Sequence, residues 1–220
     1  MEQSVRLVAI TEGANELVGK NAQEVISYIA RVSNPTNQMN FETAPRLLKY
    51  CITNNHWSPF EHAYVTLEIK TSRAIAAQIL RHRSFTFQEF SQRYAIAQDV
   101  VTYEARRQDA KNRQNSIDDM SDEDKNWFLD AQANMWDMAK TLYDEALRRG
   151  VAKEQARFLL PLNTATTIYM TGAVRSWIHY ILLRSGNGTQ KEHADIAISA
   201  KGIIAEKFPD IAKALEWESI

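Results

Sequence analysis

Residues 63–70, AYVTLEIK, alternate without exception: Ala63, Val65, Leu67 and Ile69 fall on one side, and Tyr64, Thr66, Glu68 and Lys70 on the other. A period of two marks a strand with one face on a core and the other toward solvent. Most of the remaining chain has helical spacing instead. Residues 21–33 put Val25, Ile26, Ile29 and Ala30 on one stripe, and a second helix is expected over 44–53. Ser121 opens a long helix: it is a good N-cap, Asp124 stands three residues on, and acids crowd the first turn. Arg148 and Arg149 suit its last turn, and Gly150 the position just beyond. VRLVAI (5–10) reads as a short strand, 73–83 and 151–160 as helices, and the apolar run from Phe158 to Val174 as part of a buried helix reaching 183. SGNG (185–188) breaks that helix, and Thr189 with Glu192 reads as the capping box of a last one, ending before Phe208-Pro209. Residues 104–120 are polar and aperiodic, hence a loop. No repeat, linker or low-complexity tract divides the 220 residues, so the expected fold class is α+β, in one domain spanning 1–220.

Several function classes are disfavoured at once. With 26 Lys+Arg against 27 Asp+Glu, the chain lacks the basic excess of a nucleic-acid binder. The single cysteine, Cys51, forms no internal disulfide and no thiolate zinc cluster, which points to a reducing compartment, the cytoplasm. The N-terminus shows no basic and then apolar leader, and no run is long and apolar enough to span a membrane. Histidines 56, 62, 82, 179 and 193 match no zinc spacing, so no metal is expected. GxGxxG and P-loop motifs are absent. The GNG at 186–188 lacks the third glycine and a preceding strand, which removes a Rossmann site.

One segment stands apart. RHRSFTFQEFSQRY (81–94) concentrates arginines beside aromatic rings, and residues 70–93 carry five cations against Glu89 alone. On a straight helix Arg81 and Arg83 point about 200° apart, so they serve two ligands unless the helix ends there. The planar guanidinium fork fits phosphate and carboxylate oxygens, and Phe85, Phe87, Phe90 and Tyr94 offer faces for a heterocycle. Arg157 lies within QARFLLPL. Arg175 and His179 share a helix face at i and i+4, and Arg184, nine positions after Arg175, points roughly the opposite way. A buried arginine is costly unless paired. The residues alone therefore leave two readings: structural ion pairs at a solvated helix end, or a site for several anionic groups. A single-strand nucleic-acid module and a purely structural oligomer are rivals from other classes.

The order of motifs carries a resemblance. Arg81-His82-Arg83 followed after seven residues by Ser91 resembles the RHR-x7-S signature of the flavin-dependent thymidylate synthases. HWSPFEH upstream, Gln78, Glu89, Arg93-Tyr94, AKEQARFLLPL and Arg175 through Arg184 extend the match over about residues 25–206, most like the short viral-type members. The resemblance implies an antiparallel sheet flanked by long helices and a homotetramer with active sites shared between subunits. It also implies an extended FAD groove, and conversion of dUMP to dTMP with methylenetetrahydrofolate as one-carbon donor and NADPH as reductant. By the same resemblance Ser58, Glu61, Arg81, His82, Arg83, Glu89, Arg175 and His179 contact FAD. Gln78, Arg81, Glu89, Ser91, Arg93, Arg157 and Arg184 form the dUMP cradle, with Arg184 as the catalytic cation facing the uracil N3–O edge. Cys51 lies outside the signature, so a cysteine nucleophile is not expected.

Overall fold

The computed structural model describes residues 1–186 and 188–217. Its framework is a four-stranded antiparallel sheet of β1 (Ser4–Ile10), β2 (Tyr64–Ser72), β3 (Thr86–Glu89) and β6 (Ala165–Ala173), in the order β1-β2-β6-β3. A two-residue hairpin, β4 (Arg107–Gln108) with β5 (Ser116–Ile117), is the regular part of the expected 104–120 loop. The alternation in AYVTLEIK does what a period of two requires. Val65, Leu67 and Ile69 are buried in the core, where Ile168 and Met170 of β6 join them.

The helices are α1 (Ala22–Ala30), α2 (Ala44–Thr53), α3 (Arg73–Ile79), α4 (Asp122–Arg148), α5 (Lys153–Ala156), α6 (Val174–Arg184), α7 (Lys191–Lys207) and α8 (Pro209–Ala214). Asn21 and Glu24 close α1 with a reciprocal capping box. The Ser121 hydroxyl caps α4 by accepting from the Asp124 N–H, as expected from sequence. Gly150 follows with φ +85°, a conformation in which a Cβ would be strained. Helix α4 is barely covered: of 27 residues only Ala139 and Tyr143 are buried. Helix α7 is the opposite, packed on α6, α3 and β1.

Four expectations are corrected. The apolar segment up to 183 is not one helix: residues 165–173 form β6, the strand between β2 and β3, and α6 starts only at Val174. Its alternation of Thr166, Ile168, Met170 and Gly172 inward with Thr167, Tyr169 and Thr171 outward is a strand pattern rich in β-branched residues. Helix α3 stops at Ile79, so Arg81 and Arg83 lie in a turn rather than on a helix. The 151–160 helix is one turn, Lys153–Ala156, running into a 3-10 turn at Arg157–Leu159. The final helix takes Gln190 as N-cap without a side-chain cap, and Glu192 instead accepts from Gln190 Nε2 at 2.8 Å. Asn187 of the expected breaker lies outside the described residues.

Candidate active site

Sheet topology places the signature. Strand β2 runs directly into α3, whose N-cap Ser72 accepts from the Ile75 N–H. Helix α3 crosses back under the sheet, and the turn 81–85 delivers the chain to β3, where Thr86 pairs with Thr171 and Glu89 with Ile168. A close approach locks this turn. A Cβ at Gly172 would stand 2.4 Å from the Phe85 ring, so only glycine lets Phe85 lie against β6, where it also packs on Trp177 with centroids 4.8 Å apart. Four residues of strand, about 13 Å, then separate Arg81–Ser84 at one end of β3 from Ser91–Arg93 at the other.

The sequence-predicted residues divide between these two ends. At the turn, Glu61 Oε1 accepts from Arg175 Nη1 at 2.6 Å. These two join His179, Ser84 and Trp57 around a cleft of about 450 Å³, with Ser58 in the adjoining 3-10 turn. Arg81 and Arg83 are exposed, and among the described residues their side chains meet no carboxylate. Arg184 donates from Nε to His82 Nε2 at 2.9 Å. At the other end Glu89 Oε1 accepts from Arg73 Nη1 and from the Thr166 hydroxyl, both at 3.0 Å. Arg93 pairs with Glu154 at 3.1 Å, while Arg157 donates to the Glu154 backbone carbonyl. The Arg93 N–H donates to the Ser91 hydroxyl at 3.3 Å. One chain therefore gathers most of the expected FAD contacts at one end of β3, but Glu89 at the other. Of the expected dUMP contacts, Glu89, Ser91, Arg93 and Arg157 gather at the second end, and Arg81 and Arg184 remain near the first.

Gln78, near the C-terminal end of α3, is bonded to two residues at the start of α7, Gln190 and His193. Sequence reasoning missed His193, its partner Tyr180 and Gln190. The available signal was polarity in the wrong place, because His193 shares a buried stripe with Ile196, Ala197, Ala200 and Ile204. Burial first, then the charges of Arg184 and His179, push His82 down to about 4. It is therefore a neutral imidazole near pH 7, with Nε2 free to accept from Arg184 and its proton on Nδ1. That bond occupies Nε of Arg184 and leaves its two terminal amino groups for other acceptors. Cys51 has the opposite character: it is buried in the core on α2, and burial raises its thiol pKa, which leaves no activated thiolate.

Residues 15–210 match the family model "Thymidylate synthase complementing protein". The chain is 55% identical over 215 residues to a probable flavin-dependent thymidylate synthase of Paramecium bursaria Chlorella virus 1, covering 97% of this chain and 99% of that one. It is 53% identical, with the same coverage, to the flavin-dependent thymidylate synthase of Synechocystis sp.. The chain belongs to the flavin-dependent thymidylate synthases. This family membership makes it an enzyme. The fold agrees with a solved structure, the UMP/dUMP methylase PolB of Streptomyces cacaoi bound with 5-Br dUMP, at a TM-score of 0.84 and 22% identity over 98% of this chain and 95% of that one. Among the described residues no helix is long and apolar enough to cross a membrane.

The donor set of the first end suits the flavin implied by the family. Trp57 and Leu182 give the cleft apolar walls, while Ser84, Ser176 and His179 give it hydrogen-bonding groups. The Arg175 charge is already met by Glu61, whereas Arg81 and Arg83, in the turn beside the cleft, meet no carboxylate among the described residues.

Proposed function

We propose that the enzyme converts dUMP to dTMP by reductive methylation, with methylenetetrahydrofolate as one-carbon donor, NADPH as reductant and FAD as bound cofactor. The observation that carries this reading is a group of three cations around one turn: Arg81 and Arg83 flank His82, Arg184 bonds to it, and none of the three meets a carboxylate among the described residues. Ser58, Glu61, Arg81, His82, Arg83, Glu89, Arg175 and His179 would hold FAD, which supplies the hydride chemistry when bound. Gln78, Arg81, Glu89, Ser91, Arg93 and Arg157 would hold dUMP. Arg184, turned by neutral His82, offers its terminal amino groups to the uracil N3–O4 edge, stabilising the negative charge that makes C5 nucleophilic. A cysteine adding to C6 is the other way to activate C5, and buried Cys51 is badly suited to it.

Two features support sites shared between subunits. The expected FAD and dUMP contacts fall mainly at opposite ends of β3 within one chain. Exposed apolar side chains also line one face of α4: Trp127, Met135, Met138 and Leu142 are exposed, as are Phe158 and Leu162, and exposed apolar patches mark interaction surfaces. Packed against copies of itself, this surface would close the homotetramer. Light scattering should report about four times the chain mass, and an active monomer would contradict the shared site.

The direct test is spectroscopic. FAD-reconstituted protein should show flavin absorbance that NADPH bleaches under nitrogen. The colour should return only when dUMP and methylenetetrahydrofolate are both added, with dTMP as product. Protein that passes gel filtration without flavin after saturation with FAD would contradict the proposal.

A further inference from the structure

A hydrogen-bond chain runs behind Gln78. Glu192 Oε2 accepts from Gln190 Nε2 at 2.8 Å, Gln190 Oε1 faces Gln78 Nε2 at 2.6 Å, Gln78 Oε1 faces His193 Nδ1 at 3.3 Å, and His193 Nε2 faces the Tyr180 hydroxyl at 3.0 Å. Its polarity follows from one end. A carboxylate only accepts, so Gln190 turns its amino group to Glu192 and its oxygen to Gln78. Gln78 must then turn its own amino group to Gln190 and its oxygen to His193. His193 must donate from Nδ1, which leaves Nε2 to accept from Tyr180. The imidazole is fully buried, and burial, then the charges of Arg184 and His82, push it down to about 4. It is uncharged near pH 7, as a single-proton tautomer requires.

The chain decides what Gln78 shows to a ligand. An isolated glutamine amide flips and offers either end. Here the oxygen is held from behind, one amino proton is spent on Gln190, and the second amino proton remains. We propose that His193 is a positioning residue of the nucleotide site, which holds Gln78 so that it presents an N–H donor to an acceptor oxygen of bound dUMP. This rests on the reading above that Gln78 contacts dUMP. It adds the polarity of that contact and its buried cause.

The test is a double-mutant cycle on flavin-loaded protein, read as the dUMP dissociation constant by calorimetry, with FAD content and melting temperature measured in parallel. His193→Phe removes the hold and should weaken dUMP about tenfold. Gln78→Ala should do the same, and the double variant should be no weaker than Gln78→Ala alone. His193→Asn keeps an amide N–H near the place of Nδ1 and should stay within about threefold of wild type. Additive effects in the cycle, or Asn failing where Phe also fails, would overturn the role. Nitrogen NMR of wild-type protein tests the chain without any variant: the His193 proton should sit on Nδ1, and a proton on Nε2 overturns the proposal. Wild-type protein that takes no dUMP overturns the site reading, and this inference with it. Wild-type protein that binds dUMP with an additive cycle overturns the inference alone.

Discussion

Two arginine-bearing regions of the same sheet are built in opposite ways. On the outward face, Arg6, Glu68 and Tyr169 stand side by side across β1, β2 and β6. Arg6 meets both Glu68 oxygens, at 2.6 and 2.8 Å, and the Tyr169 hydroxyl donates to Glu68 at 2.8 Å. Those bonds, from Arg6 first and then Tyr169, hold the Glu68 carboxyl down at about 2. At the end of the sheet, Arg81 and Arg83 have no carboxylate among the described residues, and Arg184 leans on a neutral imidazole. A guanidinium satisfied within the chain can serve the fold. One left open costs nothing while it faces water, and it becomes valuable when an anion arrives. Arg6 is thus satisfied within the fold, whereas Arg81, Arg83 and Arg184 are left open; Arg93 and Arg175, also among the proposed site residues, are each paired with a carboxylate.

The largest expected effect falls on the open side. Arg184→Ala should leave FAD binding and reduction by NADPH intact, while slowing flavin reoxidation by dUMP and methylenetetrahydrofolate by about 100-fold or more. Arg184→Lys should recover little, because a point charge lacks the fork and the Nε bond to His82. Anaerobic stopped-flow of each half-reaction separates the outcomes. Slow reduction with a normal oxidative half would move Arg184 to the flavin side.

The closed side should respond in stability alone. Glu68→Gln removes the charged partner of Arg6 and should lower Tm by about 2–6 °C with turnover unchanged. The regions also differ in pH window. Glu68 is lowered from 4.5 to about 2, so its stabilisation is present above pH 4.5 and disappears as pH falls toward 2. His82 and His193 are lowered from 6.5 to about 4. The unfolded chain therefore binds protons first, and stability falls as pH drops from 6.5 to 4. Tm measured against pH should lose the lower window in Glu68→Gln and part of the upper one in His193→Asn. A Tm that is flat between pH 6.5 and 4 would contradict the buried neutral histidines. The smallest effect belongs to Cys51→Ala, which removes a buried thiol outside the cleft. Most dTMP formation should survive with a modest packing loss, and a fall of several orders of magnitude with FAD retained would restore the cysteine route.

What the sequence made legible follows the range of the cause. Ser121, the acids behind it and Gly150 act within a turn of the helix they bound, and α4 runs from Asp122 to Arg148 between them. AYVTLEIK wrote its own alternation. Strand β6 is hard to see in the sequence because a window of apolar residues and threonines running into a true helix looks continuous, although Thr166, Ile168 and Met170 alternate as a strand requires. Strand β3 was hidden within the cationic segment, where Phe87 and Glu89 alternate with Thr86 and Gln88. The signature residues were visible as motifs, but their division between two ends of β3 was not, since it depends on pairing with Thr171 and Ile168 some 80 residues later. The hold of His193 on Gln78 spans 115 residues and leaves only one local trace, a histidine on an apolar stripe.

The contrast between open and closed arginines is tested most directly by one FAD titration with parallel melts, on Arg81→Ala/Arg83→Ala and on Arg6→Ala. The first should weaken FAD by about 100-fold or more with Tm nearly unchanged, since neither side chain has a hydrogen bond among the described residues. The second should bind FAD as wild type does and melt lower. Equal FAD affinity in the two variants, or a lower Tm in the first and not in the second, would contradict the account.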